Sequence, residues 1–409
     1  MKNSGIPWIG EIPEKWKVEL IGNNAKEVDN PNIDNAEDNA LQFKMGSIIS
    51  KKNGDSKYNP ATLEAYNKVK KGDIVINGLN LSFDYISQRI GLVKEDGVIT
   101  SAYLAIRPTS AIKSEYLNYL FKAYDNCKAF HGMGKGLRQT LAYKELRNYL
   151  LCFPPLADQQ AIADFLDKKC AEIDQMVALQ EKFIEELKAY KQSLITETVT
   201  KGLNPNAPMK DSGVEWIGEV PVNWDVCKLK HIYTLVNGRA YSDPELLSEG
   251  KYKVLRVGNL FTSDKWYYSD MELEPDKYCQ EGDLLYGWSA SIGPYLWNHE
   301  KVIYHYHIWK VLFKNIRQFA FYQLHALTEA KRRDMHGSAM QHLTMDGMNN
   351  SYLTMPPKRE QQAIADYLDK KCAEIDQLIT IKQKKADELK EYKKSIIYEY
   401  VTGKRSVCE

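Results

Sequence analysis

Two histidines, His305 and His307, sit one residue apart with Tyr304 and Tyr306 beside them. Alternate side chains of a strand share a face, so such a pair could offer two imidazole ligands to a metal. No carboxylate or thiol stands at matching spacing nearby, and packing is the better reading. Gly132-x-Gly134-x-Gly136 could suggest a nucleotide loop, but such loops leave a strand and open a helix. Here the glycines follow a helical pattern, which fits a loop tip. No GxxxxGK[ST] phosphate loop occurs. Phe153-Pro154-Pro155 and Met355-Pro356-Pro357 lack the asparagine of an Asn-Pro-Pro-aromatic methyltransferase site. No Ser/His/Asp set can be assigned from spacing. The expectation is a chain without catalytic residues, without a metal and without a cofactor of its own.

The elements that would position any site are repeated. Ser4 to Pro13, SGIPWIGEIP, recurs from Ser212 to Pro221 as SGVEWIGEVP, and Trp16 recurs as Trp224, at an offset of 208. Gln159 to Gln175, QQAIADFLDKKCAEIDQ, recurs from Gln361 to Gln377 with only Phe165 changed to Tyr367, at an offset of 202. The second match reaches back to Gln139/Gln341 and Leu141/Leu343, and on to Val199-Thr200 and Val401-Thr402. Between the matched ends, residues about 20–138 and 228–340 are dissimilar. The pattern is two divergent inserts in two near-identical frames.

Each frame ends in a long helix. A Pro-Pro pair stops the preceding strand, and Asp158 can cap the first helix. Leu166, Cys170, Ile173, Val177, Ile184, Leu187 and Leu194 form an apolar stripe at three-and-four spacing, matched by Leu368, Cys372, Ile375, Ile379, Leu389 and Ile396. Gly202 ends the first helix and Asn204 to Pro208 form a linker. About 40 residues at ~1.5 Å each give roughly 60 Å, too long a stripe for one helix to bury. Two antiparallel, coiled-coil-like helices solve this. Gln180 and Lys382 share one stripe position, where a polar residue either fixes register or marks the drift of the stripe. Each insert reads as mixed α/β. Lys71 to Ile76 and Glu281 to Tyr286 predict a turn and strand, Gly97 to Tyr103 and Lys301 to His307 a second strand, and Ser114 to Phe130 and Arg317 to Arg333 a helix. Overall the class is α+β: two α/β domains joined by two long helices in a pseudo-twofold repeat. The segments are 1–153, 154–203, 204–355 and 356–409.

The net charge of +1 does not announce a nucleic-acid binder. It divides into +4 over residues 1–153, −3 over 154–203, −2 over 204–357 and +2 over 358–409. Any DNA binding must use local patches, with partners supplying much of the phosphate contact. Seven cysteines without a CxxC pair fit reduced thiols, and no apolar segment suits a signal peptide or membrane span. A cytoplasmic protein is expected.

At WIGEIPxxW in each frame, and at PPLADQQAIADFLD and PPKREQQAIADYLD at the helix starts, the chain resembles the DNA-specificity subunits of type I restriction-modification systems. The resemblance covers essentially the whole chain. Its one visible departure is Pro357-Lys358-Arg359-Glu360 in place of the Leu156-Ala157-Asp158 version. It implies two variable target-recognition domains, spaced by two conserved helices, that read a bipartite asymmetric site in double-stranded DNA. It also implies two methyltransferase subunits carrying S-adenosylmethionine, and restriction subunits using ATP and magnesium.

Base reading needs polar side chains that reach groove edges, whereas phosphate contacts only position the protein. Loops of the inserts should carry them. The candidates are Asn77, Asn80, Gln88, Arg89, Lys135, Arg138, Gln139 and Thr140 in the first insert. In the second they are Tyr286, Trp288, Ser289, Arg332, Arg333, His336, Ser338, Gln341 and His342. Each is weighed against a solvated surface role. Gln139 and Gln341 are identical across the units, which favours structure, and Tyr286 and Trp288 could belong to the core. Trp8, Trp16, Trp216 and Trp224 suit anchors between insert and helix better than base stackers. Two other classes compete. A single-chain methyltransferase lacks the cofactor motifs. A helical scaffold that binds proteins would show no sequence-selective DNA binding.

Overall fold

A computed structural model describes residues 1–33, 35–44, 46–51, 60–83, 88–131, 133, 139–334 and 342–407. The chain divides into two units, residues 1–181 with 383–409, and residues 182–382. The boundary falls within the two long helices rather than at their ends, so each helix contributes about half its length to each unit.

In the first unit the strands that bear on function are β1 (Lys17–Leu20), β2 (Ala25–Glu27), β3 (Ile74–Ile76), β4 (Ile90–Leu92), β5 (Gly97–Thr100) and β6 (Leu104–Pro108). Helix α1 (Ser114–Asn126) and strand β7 (Leu150–Phe153) follow, and then the long helix α2 (Leu156–Lys201) begins. Strands β2-β6-β3-β4 form an antiparallel sheet in that order. Ile74, Val75 and Ile76 are all buried, as a β-branched run covered on both faces should be. Gly72 adopts φ +95° in the turn before them, and Asp73 Oδ2 accepts the Lys70 N–H at 2.8 Å, which closes that turn.

The second unit repeats the plan: β8 (Asp225–Lys228), β9 (Tyr233–Asn237), β10 (Leu284–Gly287), β11 (Gly293–Leu296), β12 (Val302–Tyr304), β13 (Ile308–Phe313), α3 (Arg317–Asp334), β14 (Tyr352–Met355) and α4 (Lys358–Val401). The sheet order is β9-β13-β10-β11, the same topology as in the first unit. Gly282 at φ +93° and Asp283, which accepts the Gln280 N–H at 2.9 Å, repeat the turn. Two inserts with dissimilar sequences therefore fold on one sheet plan.

Helix halves pair antiparallel within each unit. In the first, Phe165 packs on Tyr400 and Lys393 pairs with Asp174 at 2.6 Å. In the second, Lys191 pairs with Asp376 at 2.6 Å and Lys382 lies over the Phe183 ring at 5.0 Å. Exposed ion pairs of this kind are worth ~0–1 kcal/mol each, so they select register more than they stabilise. Burial carries the energy. Leu166, Cys170, Ile173 and Val177 join the core of the first unit with Ile396, Tyr400 and Val401. Ile195, Val199, Leu368 and Cys372 close around Trp224 and Phe319 in the second. Leu187 and Leu194 are only half-buried, and Ile195 takes the inward place beside them.

The repeated glutamine at each helix start has a clear role. Gln159 Oε1 accepts the Lys113 N–H at 2.8 Å, and its Nε2 donates to the Pro154 carbonyl at 2.9 Å. Gln361 does the same with the Ile316 N–H at 3.3 Å and the Pro356 carbonyl at 2.8 Å. A buried amide that both donates and accepts ties helix, strand end and insert together. Asp158 is not the helix cap expected above. The helix starts earlier, at Leu156, and Asp158 lies in its first turn, where its charge still suits the positive helix end.

The last carbonyls of a helix lack partners within it. The Tyr116 hydroxyl donates to the Val401 carbonyl at 3.0 Å, whereas in the second unit the Thr354 hydroxyl donates to the Val199 carbonyl at 2.6 Å. We predict that Tyr116→Phe and Thr354→Val each lower unfolding free energy by about 1–3 kcal/mol, the cost of stranding a buried carbonyl. Urea denaturation of the full chain checks this, and unchanged midpoints for both variants would remove these contacts from the account of stability.

Candidate nucleic-acid interface

The loop after β3 and the loop after β10 occupy one topological place. In the first unit, Leu141 N–H donates to the Gly78 carbonyl at 2.9 Å and Leu81 N–H to the Gln139 carbonyl at 3.2 Å. In the second, Leu343 N–H donates to the Trp288 carbonyl at 3.0 Å, and Ser289 bridges to His342. Sequence-distant candidates are thus brought side by side: Asn77 and Asn80 with Gln139 and Thr140, and Trp288 and Ser289 with His342. Both loops turn through a left-handed residue that is not glycine, Asn80 at φ +55° and Ala290 at φ +63°. Asn tolerates that region, while Ala there stores about 1 kcal/mol or more.

Asn80, Gln88, Thr140 and His342 are exposed, and Asn77, Gln139 and Trp288 are half-buried. Lys135, Arg138, His336, Ser338 and Gln341 lie outside the described residues.

Five candidates are not displayed on the paired loops. Arg89 is 1% exposed, and its guanidinium donates to the carbonyls of Asn77 at 2.9 Å and Leu79 at 2.7 Å. It clamps the loop from beneath and does not face solvent. Its own N–H meets Asp125 Oδ2 at 2.9 Å, and burial pushes the Asp125 carboxyl up. Tyr286 is fully buried, with its hydroxyl against Thr328 Oγ1 at 2.7 Å. It lies within a strand whose side chains are buried on both faces, so it belongs to the core, the alternative that the sequence leaves open. Ser289 is buried as well. Arg332 is exposed but braced: it pairs with Glu329 and donates to the Ile292 carbonyl. Arg333 lies against the long helix, lining a groove with Gln192, Ser193, Thr196 and Trp216, away from the paired loops.

Two groups went unseen as interface candidates. Phe83, in the first unit's loop, is 74% exposed. In the second unit the turn His305-Tyr306-His307 runs from β12 to β13 beside Trp288. Trp288 donates through Nε1 to the Tyr306 carbonyl at 2.7 Å, and His307 meets its ring edge-on at 5.0 Å. Trp288 stacks on Trp309 at 5.7 Å, which stacks on Tyr286 at 5.9 Å, a file of rings from the edge to the core. The alternation of histidine and tyrosine is visible in sequence, where packing is preferred over a metal site, but spacing alone does not mark it as an interface. Among the described residues no group of three His, Cys, Asp or Glu is placed to hold a metal ion.

Burial, with His307 and the Arg256 cation adding to it, pushes the His305 imidazole down to about 4. Burial, His342 and Arg256 lower His307 as well. Both rings are neutral near pH 7, and each then offers one donor and one acceptor. The six described cysteines are free thiols. Burial pushes Cys152 up to about 12, so it is no nucleophile. No described helix is long and apolar enough to cross a membrane.

A family model for the type I restriction modification DNA specificity domain matches residues 221–391. The chain is 23% identical over 418 residues to the type I restriction enzyme MjaVIII specificity subunit of Methanocaldococcus jannaschii, covering 96% of this chain and 93% of the relative. It is 23% identical over 420 residues to the putative MjaX specificity subunit of the same organism, covering 97% and 95%. In three dimensions it matches a chain from a type I R-M system, solved for its complex assembly and conformational transition, with a TM-score of 0.73 at 14% identity over 96% of this chain and 98% of the other. The HsdS subunit from Thermoanaerobacter tengcongensis matches with a TM-score of 0.53 at 16% identity, over 97% and 98%. The two solved chains share this fold.

The depressed histidine has a consequence for stability. His305 is held below its ordinary value in the folded chain, so the unfolded chain takes up a proton first as pH falls. Stability is at its full value above pH ~6.5 and declines as pH falls from there toward about 4. We predict that His305→Gln flattens this part of the curve relative to the unsubstituted chain, which cancels the carboxylate titrations common to both. Denaturation midpoints at half-unit pH steps test this, and parallel curves for the two proteins would refute it.

Proposed function

We propose that this chain, a member of the type I restriction-modification DNA-specificity family, reads a bipartite asymmetric DNA sequence, one half with each insert. One observation carries this reading. The two units share a sheet order and a pair of braced loops, yet the side chains on those loops differ. A common mount with unlike side chains is what two different half-sites require. Asn77, Asn80, Gln139 and Thr140 supply donors and acceptors in the first unit, and Trp288 and His342 do so in the second. The matched frames suit two copies of one partner, and we assign these as methyltransferase subunits that carry S-adenosylmethionine. Restriction subunits using ATP and magnesium complete the assembly. The chain itself contributes recognition and no catalytic group, and it works in the cytoplasm, where thiols stay reduced. A scaffold without DNA selectivity is not favoured, since the relatives named above are specificity subunits.

Two experiments test the reading, both on the chain assembled with its methyltransferase partner. Exchanging residues about 20–150 for another insert of the family should change one half of the methylated site and leave the other half intact. Methylated-site mapping reads this out, and a change in both halves or in neither refutes the two-module reading. Adding one heptad to each long helix, after Gln180 and after Lys382, should lengthen the unread spacer by about three base pairs. A heptad adds about 10 Å, and DNA rises about 3.4 Å per pair. A spacer of unchanged length would show that the helices do not set the distance.

A further inference from the structure

The turn His305-Tyr306-His307 is held on every side by backbone bonds. Ile308 N–H closes it on the His305 carbonyl at 2.9 Å. Tyr306 N–H donates to the Arg239 carbonyl at 3.0 Å, His305 N–H to the Leu255 carbonyl at 2.9 Å, and Trp288 N–H to the His307 carbonyl at 3.1 Å. Gly238 makes this crossing possible, because a Cβ there would lie 2.3 Å from the Tyr304 carbonyl oxygen. A backbone so fully bonded does not need to reorganise, and its side chains are displayed at fixed positions. Tyr306 is 38% exposed, and His307 is half-buried beside it.

The chemistry around the turn is one-sided. Arg256 is exposed, lies over the Tyr267 ring at 5.4 Å, and its charge adds to the lowering of both histidines. Arg239 is paired with Glu245 at 2.7 Å, so Arg256 is left to set the local charge. Trp288 and His342 flank the turn with a ring edge and an imidazole, their centroids 6.1 Å apart. A cation, neutral imidazoles and exposed aromatic edges on a rigid mount match the needs of base reading: donors and acceptors for groove edges, with a positive charge for phosphate. The matching turn of the first unit, between β5 and β6, reads Ser101-Ala102-Tyr103 and carries no imidazole and no cation. The same topological place is chemically loaded in one unit and nearly bare in the other, which is where two readers of different sequence should differ.

We infer that the His305-Tyr306-His307 turn, with Trp288 and His342 beside it, enters the major groove of double-stranded DNA and sets the bases read by the second unit, while Arg256 holds the adjacent phosphate. This rests on the reading that the chain recognises DNA. Tyr306 and His307 contact base edges, and Trp288 fixes their height above the groove. The first unit reads its own half through the Asn77–Asn80 loop.

The test uses the full chain assembled with its methyltransferase partner, challenged with a library of randomised double-stranded sites. Tyr306→Ala and His307→Ala should each relax the second half-site by about tenfold or more at one or two base pairs, leaving the first half-site unchanged. Arg256→Gln should weaken all sequences alike and reduce the slope of log affinity against log salt by about one. Should His307→Ala fail to fold, Tyr306→Ala decides alone, because that ring is largely at the surface. Unchanged second-half preference with either folded variant overturns the inference, as does a change confined to the first half. If the unsubstituted assembly methylates no bipartite site, the broader reading of DNA recognition fails instead.

Discussion

An apolar stripe that runs the length of a 46-residue helix is penalised by water along its whole extent unless another surface covers it. The chain covers the stripe piecewise. In the first unit the beginning of α2 pairs with the end of α4, and in the second the end of α2 pairs with the beginning of α4. The first unit is therefore built from two separate stretches of chain, residues 1–181 and 383–409, whereas the second is the single stretch 182–382. The first contains both chain termini and closes when Tyr116 and Tyr398 reach the last turns of α4 and the segment around Trp8. The covering of the stripe is thus what places each insert on its mount, and the mount is what gives the loops fixed positions.

The frames conserve slots more strictly than residues. A helix-terminal carbonyl is met by a tyrosine in one unit and a threonine in the other, each with a hydroxyl at hydrogen-bond distance. The Tyr119 hydroxyl on Asp167 and the Tyr322 hydroxyl on Asp369 fill another matched slot, at 2.7 and 2.8 Å. The identical Gln159 and Gln361 mark the place where one side chain must donate and accept together, and few residue types can do both while buried. Where the requirement is only volume, as at Phe165 and Tyr367, the residues drift. Inside the inserts the same logic retains the turn Gly-Asp before the central strand, and little else.

That difference explains what the sequence could reveal. The helices, the repeat, the Gly202 stop and the anchoring role of Trp224 were legible because periodicity and duplication report them directly. The sheet order was not legible, since strands as short as Ile74–Ile76 carry no pairing information. At the interface, polarity proved a poor guide. Arg89 is a candidate base reader in sequence because it is polar and falls in a divergent insert, yet it is buried and donates to two carbonyls. Tyr286 is a candidate reader in sequence with a core role as the alternative, and it lies within a strand with two covered faces. Conversely, the sequence favours packing over base reading for the histidines at 305 and 307, because only their strand-like spacing is visible there. Their actual environment, with Arg256 and His342 around them, depends on chain segments 50 residues and 35 residues away, which no local pattern contains.

Rigidity has a direct bearing on how specificity could change in such a chain. Where a turn's backbone is bonded as that of His305 to Ile308 is, little conformational entropy is lost on binding, and affinity follows side-chain complementarity. The strained Ala290 in the second unit, at the place where the first has a tolerant Asn80, indicates that the mount imposes the turn regardless of the residue that occupies it. New recognition can then arise by substitution at displayed positions, without redesign of the fold. The converse also holds. Residues beneath the loops, such as Arg89 and the Tyr286–Trp309 pair, are constrained by carbonyls and stacked rings that any sequence preference must share. The two units thus differ in the side chains displayed on their loops, while bonded carbonyls and stacked rings beneath fix where those side chains stand.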